Sequence, residues 1–130
     1  MFCKGNFKIK SKEKGGWFVG WFMDCCERSE DIEIKYWEFE PGIPKHDRKY
    51  QKQCMEITLI LKGKIEGIVE GERIKLEAGD YVMIPPRVKN GFPDNVFEYA
   101  EGITIKFPSI FNDKVVLDEN WCEISDSKPK

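Results

Sequence analysis

Apolar and polar residues alternate along most of this chain with the period of two that a half-buried β-strand requires, and the helical period of 3.6 is almost absent. "NFKIK" (Asn6 to Lys10) alternates and predicts a strand. "GWFVGWFM" (Gly16 to Met23) is apolar at nearly every position, which predicts a strand covered on both sides or packed across a subunit interface. "DIEIKYWEFE" (Asp31 to Glu40) alternates from Ile32 onward, so Glu33 and Lys35 are expected on a solvated face. "CMEITLILKG" runs into "KIEGIVEGERIKLEAGD", where Gly63 and Gly71 punctuate segments of hairpin length. "YVMIPP" is a short core strand stopped by Pro85 and Pro86. "VFEYAEGITIKFP" supplies one or two more strands, with Gly102 as a bend or bulge. One candidate helical turn lies at Asn112 to Asp118, but Val115 and Val116 argue weakly against it. Roughly nine or ten short strands separated by turn signals point to an all-β sandwich or barrel.

Length and composition narrow the class. A chain of 130 residues, 41% hydrophobic and 13% aromatic, suits one domain with a real core. Twenty-one basic against 23 acidic residues leave a net charge of −2, which gives no reason to expect nucleic-acid binding. The basic run Lys45 to Lys52 is broken by Asp47 and is expected to be solvated, with an anionic ligand as the alternative use. No apolar stretch is long enough to span a membrane, and the charged N-terminus does not read as a secretory leader. Five cysteines without C-x-x-C spacing, two of them adjacent, argue for a reduced, cytoplasmic protein. Cys54 is not expected to be a nucleophile, because no histidine base stands near it and a neighbouring carboxylate raises a thiol pKa.

Two stretches carry a family resemblance. In the first, Pro41 and Gly42 open a segment in which Glu56 is followed, after six residues, by Gly63. In the second, "LEAGDYVMIPP", Gly79 precedes Pro85 by five residues, and Pro86, Arg87 and Asn90 follow. Together they resemble the two motifs of the cupins. The resemblance implies an all-β double-stranded β-helix, the jelly-roll cupin barrel, with little or no helix. It implies one cupin domain over 1–130, with the first motif at about 41–63 and the second at about 79–92; the polar end, "SDSKPK", reads as a frayed tail over 124–130.

The same resemblance implies a metal site built from two histidines and a glutamate of the first motif and a histidine of the second. In this chain the glutamate is Glu56. The two histidine positions fall on Lys49 and Gln51, or on Tyr50 and Lys52 in the other spacing, and the second-motif position falls on Asn90. The chain has a single histidine, His46, which is expected at the rim as a surface residue. A protonated lysine ligates poorly at neutral pH, and amide oxygens suit transition metals weakly. No metal or other cofactor is therefore expected.

The barrel mouth remains as a pocket. Glu56 shares a strand face with Cys54 and Thr58, and if it points inward it needs a partner. Lys49, Tyr50, Gln51, Glu56 and Asn90 are the candidate ligand-binding residues, walled by aromatics, and Lys106 is a candidate for the same mouth. Trp17, Trp21, Trp37 and Phe39 serve either as core or interface or as a stacking wall. A plugged barrel, with Glu56 merely paired to a lysine, is the competing arrangement. Three functions follow: a metal-free module binding a sugar-like molecule or polar organic acid; an enzyme, either a sugar isomerase or epimerase using Glu56 or a metal-dependent dioxygenase; or an interaction protein. The expected partners are a small polar ligand and a second copy in a homodimer.

Overall fold

The computed structural model describes residues 2–41, 48–92 and 98–124. Ten strands are present: β1 (Trp17–Val19), β2 (Glu33–Phe39), β3 (Lys49–Gln51), β4 (Met55–Lys62), β5 (Lys64–Val69), β6 (Glu72–Glu77), β7 (Tyr81–Ile84), β8 (Asn90–Gly91), β9 (Ala100–Phe107) and β10 (Lys114–Val116). They form two five-stranded sheets, ordered β1-β2-β9-β4-β7 and β10-β3-β8-β5-β6, with every strand pair antiparallel. This is the jelly-roll architecture that the strand pattern and the two motifs predict. Among the described residues, helix is confined to α1 (Phe7–Lys10) and two short 3₁₀ turns.

Register explains the arrangement of the core. Along β2, β9 and β4 the inward residues fall into cross-strand rows. Trp37, Gly102 and Ile60 make one row, and Phe39 and Ala100 the next. These residues join Ile65, Leu76 and Phe92 from the other sheet in one buried apolar cluster. The Trp37 and Phe39 rings stack with centroids 4.6 Å apart. Gly102 lies within a continuous strand, and the bulge falls opposite it, between Ile60 and Lys62 of β4. The glycine is required by packing: a Cβ there would lie 2.2 Å from Trp37 Cζ2 and 2.6 Å from the Leu59 carbonyl oxygen. β5 and β6 are joined by Glu70 and Gly71, both at positive φ (52° and 80°), the two-residue turn whose twist matches a hairpin.

Several local expectations are corrected. "NFKIK" forms α1 because the Asn6 side chain accepts the Ile9 N–H at 3.1 Å and caps a helical turn, while no strand among the described residues pairs with it. "GWFVGWFM" is strand only at Trp17–Val19, an edge strand that is half-buried. "YVMI" is a strand but also an edge: Tyr81 and Met83 are exposed. Lys114–Val116, inside the segment considered for a helical turn, is a strand paired to β3. Glu33 is not solvated but 4% exposed, because β9 pairs along β2 and turns that row inward. Lys49, Tyr50 and Gln51, within the basic run expected to be solvated, are all buried. Pro41 lies within the described residues; Gly42, His46 and the end of the tail, 125–130, lie outside them. No helix among the described residues is long and apolar enough to cross a membrane.

Candidate functional site

The inward rows of the β2-β9-β4 sheet change character along the barrel. Beyond the apolar rows comes Lys35, Thr104 and Thr58, and beyond that Glu33, Lys106 and Glu56. An apolar floor therefore carries a hydroxyl layer and then a charged layer. The hydroxyl layer is closed on itself. The Trp37 indole N–H donates to Thr104 Oγ1 at 3.0 Å, and the Thr104 and Thr58 hydroxyls are 3.0 Å apart. Both threonines are buried, so the floor's polar groups are satisfied before any ligand arrives.

The second sheet closes the charged layer. β3 points Lys49 and Gln51 inward, and Asn90 of β8 pairs with Lys49 in register. The Lys49 ammonium donates to Asn90 Oδ1 at 2.7 Å and lies 3.5 Å from Glu56 Oε1. Asn90 Nδ2 donates to the Val88 carbonyl at 2.9 Å, which holds its oxygen toward the lysine. All four side chains are nearly inaccessible: Lys49 is 7% exposed, Gln51 2%, Glu56 5% and Asn90 1%. Yet Glu56 Oε1 and both amide atoms of Gln51 have no hydrogen-bond partner among the described residues. Buried polar atoms without partners are rare and costly. Gln51 and Glu56 are among the residues that line a cleft of about 760 Å³, with Lys49, Trp17, Lys35 and Lys106.

The cleft carries excess positive charge. Lys8, Lys12, Lys35, Lys49, Lys106 and Lys114 line it, against the carboxylates of Glu38 and Glu56. Lys106 is held from behind by Glu33 at 3.7 Å, and Glu33 in turn accepts a hydrogen bond from the Ser109 hydroxyl at 3.0 Å. The Lys106 and Lys35 ammoniums lie 5.1 and 5.4 Å from the Trp17 ring centroid, where the ring face attracts cations. On the other face of β2, Tyr36 donates to Glu38 Oε2 at 3.1 Å, and the Tyr99 hydroxyl lies 2.7 Å from Glu101 Oε2 and 2.9 Å from Glu38 Oε2. Burial, and then the bond to Glu38, push the Tyr36 hydroxyl above its ordinary pKa.

Of the candidate residues, Lys49, Gln51, Glu56 and Asn90 come together. Tyr50 does not join them. It alternates with its neighbours on β3, points to the opposite face and donates to Glu123 Oε2 at 2.8 Å. Lys52 is exposed, so of the two motif spacings it is the one placing the family's ligand positions on Lys49 and Gln51 that brings residues into the mouth. Cys54 is fully buried and its thiol donates to the Pro108 carbonyl at 3.0 Å; burial, with Asp113 next, pushes it up to about 12. Of the aromatics, Trp17 walls the cleft and Trp37 and Phe39 serve both its floor and the core. Trp21 packs edge-on against Phe111 instead. Sequence reasoning missed Glu33. It belongs to the charged layer because of cross-strand register, which no local pattern reveals.

This donor set does not fit a transition-metal ion. Glu56 is the one carboxylate in the cluster, the Asn90 oxygen already accepts from Lys49, and a lysine ammonium stands between them. No group of three or more histidine, cysteine, aspartate or glutamate side chains able to hold a metal occurs among the described residues.

A double-stranded β-helix with its mouth built from two sheets is the class that fold and site define. The sequence profile of the cupin domain matches residues 35–102, more than half the chain, and this chain belongs to the cupin family. Among solved structures it is similar to a cupin protein from Bacteroides fragilis (25% identity, TM-score 0.56, covering 64% of this chain and 70% of that one). An uncharacterised conserved protein with a double-stranded β-helix domain from Klebsiella pneumoniae shares the fold at 16% identity (TM-score 0.59, covering 70% and 78%). So does the DMSP lyase DddQ from Ruegeria pomeroyi, at 19% identity (TM-score 0.59, covering 68% of this chain and 44% of that one). No curated protein matches the sequence significantly.

Proposed function

We propose that this cupin binds a small polyhydroxylated organic acid in its barrel mouth without a resident metal. The observation that carries the reading is the set of three buried polar atoms without a hydrogen bond among the described residues, Gln51 Nε2, Gln51 Oε1 and Glu56 Oε1, the last held only by the Lys49 ion pair, on two residues that line the cleft. One is a donor and two are acceptors, which is the complement of hydroxyl groups, since each hydroxyl both donates and accepts. The surplus of lysine around the cleft favours a ligand with net negative charge. The Trp17 face supplies an apolar wall for a sugar-like carbon skeleton, and a cleft of about 760 Å³ lies in the ordinary range for small-molecule sites.

A thermal-shift and calorimetric screen tests this with sugar acids such as D-gluconate and D-glucuronate beside neutral D-glucose. A ligand at 100 times its Kd stabilises by about 2.7 kcal/mol, several degrees in Tm for a domain of this size. The acids are expected to raise Tm more than the neutral sugar, and Gln51→Ala to weaken binding at least tenfold. No shift with any acid, or unchanged affinity in Gln51→Ala, refutes the proposal.

A further inference from the structure

The Lys49 side chain crosses the barrel. It starts on β3 of one sheet and reaches Glu56 on β4 of the other, 3.5 Å from its Oε1, while donating to Asn90 Oδ1 at 2.7 Å. The Asn90 amide is locked in the orientation that presents oxygen, because its nitrogen donates to Val88. An oxygen-lined position between the sheets is thus filled by a cation belonging to the chain itself. An ammonium carries three N–H groups. Asn90 accepts one, Glu56 attracts a second, and no acceptor for the third is seen among the described residues. Gln51, two residues along the same face of β3, has both amide atoms buried and without a hydrogen-bond partner among the described residues.

We propose that the Lys49 ammonium stands where the metal-binding arrangement implied by the family motifs would hold its ion. It is a tethered cation, fixed by Glu56 and Asn90, whose third N–H, together with the Gln51 amide, grips an oxygen of the bound ligand. Of the four residues on which the motif positions fall, Glu56 and Asn90 converge on the nitrogen of the third, Lys49, instead of on a shared vacancy, and Gln51 lies two residues along the same strand face. A covalently attached charge cannot be lost to chelators. It also repels any divalent ion approaching the same oxygens, so the site exchanges metal-dependent chemistry for a permanent hydrogen-bonding cation. The ligand-gripping half rests on the reading that the mouth binds an organic acid; the tethered-cation half does not.

The two halves are tested separately. ZnCl₂ and MnCl₂ are titrated by calorimetry and thermal shift into the wild-type protein and into Lys49→His/Gln51→His/Asn90→His. The wild type is expected to bind neither ion at the mouth. The triple variant is expected to bind one equivalent at least 100-fold tighter, with a rise in Tm. If the triple variant is unfolded without metal, Lys49→His alone is titrated, with a tenfold gain expected. Stoichiometric metal on the wild type that is lost in Glu56→Gln overturns the tethered cation, and so does a histidine variant that binds no tighter than wild type. For the second half, D-gluconate affinity is expected to fall at least tenfold in Lys49→Met, and an unchanged affinity overturns the grip. If D-gluconate and the other acids fail to bind the wild type, the functional reading and the grip fall together, while the metal titrations still decide the tethered cation.

Discussion

Replacing Lys49 by methionine keeps most of the side-chain volume and removes the charge. The change leaves the Glu56 carboxylate, 5% exposed, without its ion partner, and leaves Asn90 Oδ1 without its donor. Removing one partner of a buried pair typically costs about 3–5 kcal/mol. At about 3–5 °C per kcal/mol for a chain of this length, Tm is expected to fall by about 10–25 °C. Lys49→Met/Glu56→Leu removes both charges. It retains only the cost of the orphaned Asn90 oxygen, about 1–3 kcal/mol, offset by the desolvation no longer required. The double variant is therefore expected to be more stable than Lys49→Met alone, and the two single losses should exceed the double loss by at least about 2 kcal/mol. Urea unfolding followed by tryptophan fluorescence, with ΔG from linear extrapolation, measures all four corners of the cycle. If Lys49→Met lies within about 1 kcal/mol of wild type, or the single effects simply add, the ammonium is solvated and the reasoning about the mouth fails.

Asp113 accepts the backbone N–H groups of Gln53 and Cys54 at 3.0 Å each, pinning the bend between β3 and β4. Burial alone would raise its pKa, but the neighbouring Cys54 side chain and the hydrogen bonds from those two N–H groups outweigh it, with help from Lys106, and hold the carboxyl below its usual range. A depressed folded pKa stabilises the protein above the unfolded value of about 3.9 and ceases to do so as pH falls through the folded value. Asp113→Asn should therefore lower the urea midpoint at pH 7, by a loss of about 1–3 kcal/mol, and the gap from wild type should narrow on acidification to pH 2; a constant gap contradicts this. Gly102→Ala should destabilise by about 1–3 kcal/mol or more, because the new methyl meets Trp37 and the Leu59 carbonyl within 2.6 Å; a Tm within 1 °C of wild type would show the packing is looser. In a thiol-reagent time course the exposed Cys25 and Cys122 should react rapidly, and Cys3, whose thiol the neighbouring Cys26 pushes up to about 11, more slowly. Cys54, buried and pushed up to about 12, should react only on unfolding, and its labelling in the native protein counts against a closed core.

Much of the architecture was written in the chain's local pattern. Alternation places strands from Glu33 to Phe39 and from Met55 to Lys62, Gly63, Gly71 and Gly79 mark their ends, and the spacing of Glu56 to Gly63 and Gly79 to Pro85 carries the family. Those signals are local, because strand period and turn chemistry act over a few residues. "NFKIK" misled because five alternating residues also fit one capped helical turn.

Which face of each strand looks inward was decided by the tertiary structure. A period of two separates two faces without saying which is buried. Only the pairing of β2 with β9 and β4 turns Glu33 inward beside Lys106, and only the opposed sheet brings Lys49 to Glu56. The same apposition sends Tyr50 to the far side and leaves the buried Gln51 amide without a hydrogen-bond partner among the described residues. The sequence by itself determined the barrel and the replacement of its histidines. The tertiary structure decided that a lysine ammonium fills the space between the sheets, because residues distant along the chain meet only when two sheets close face to face.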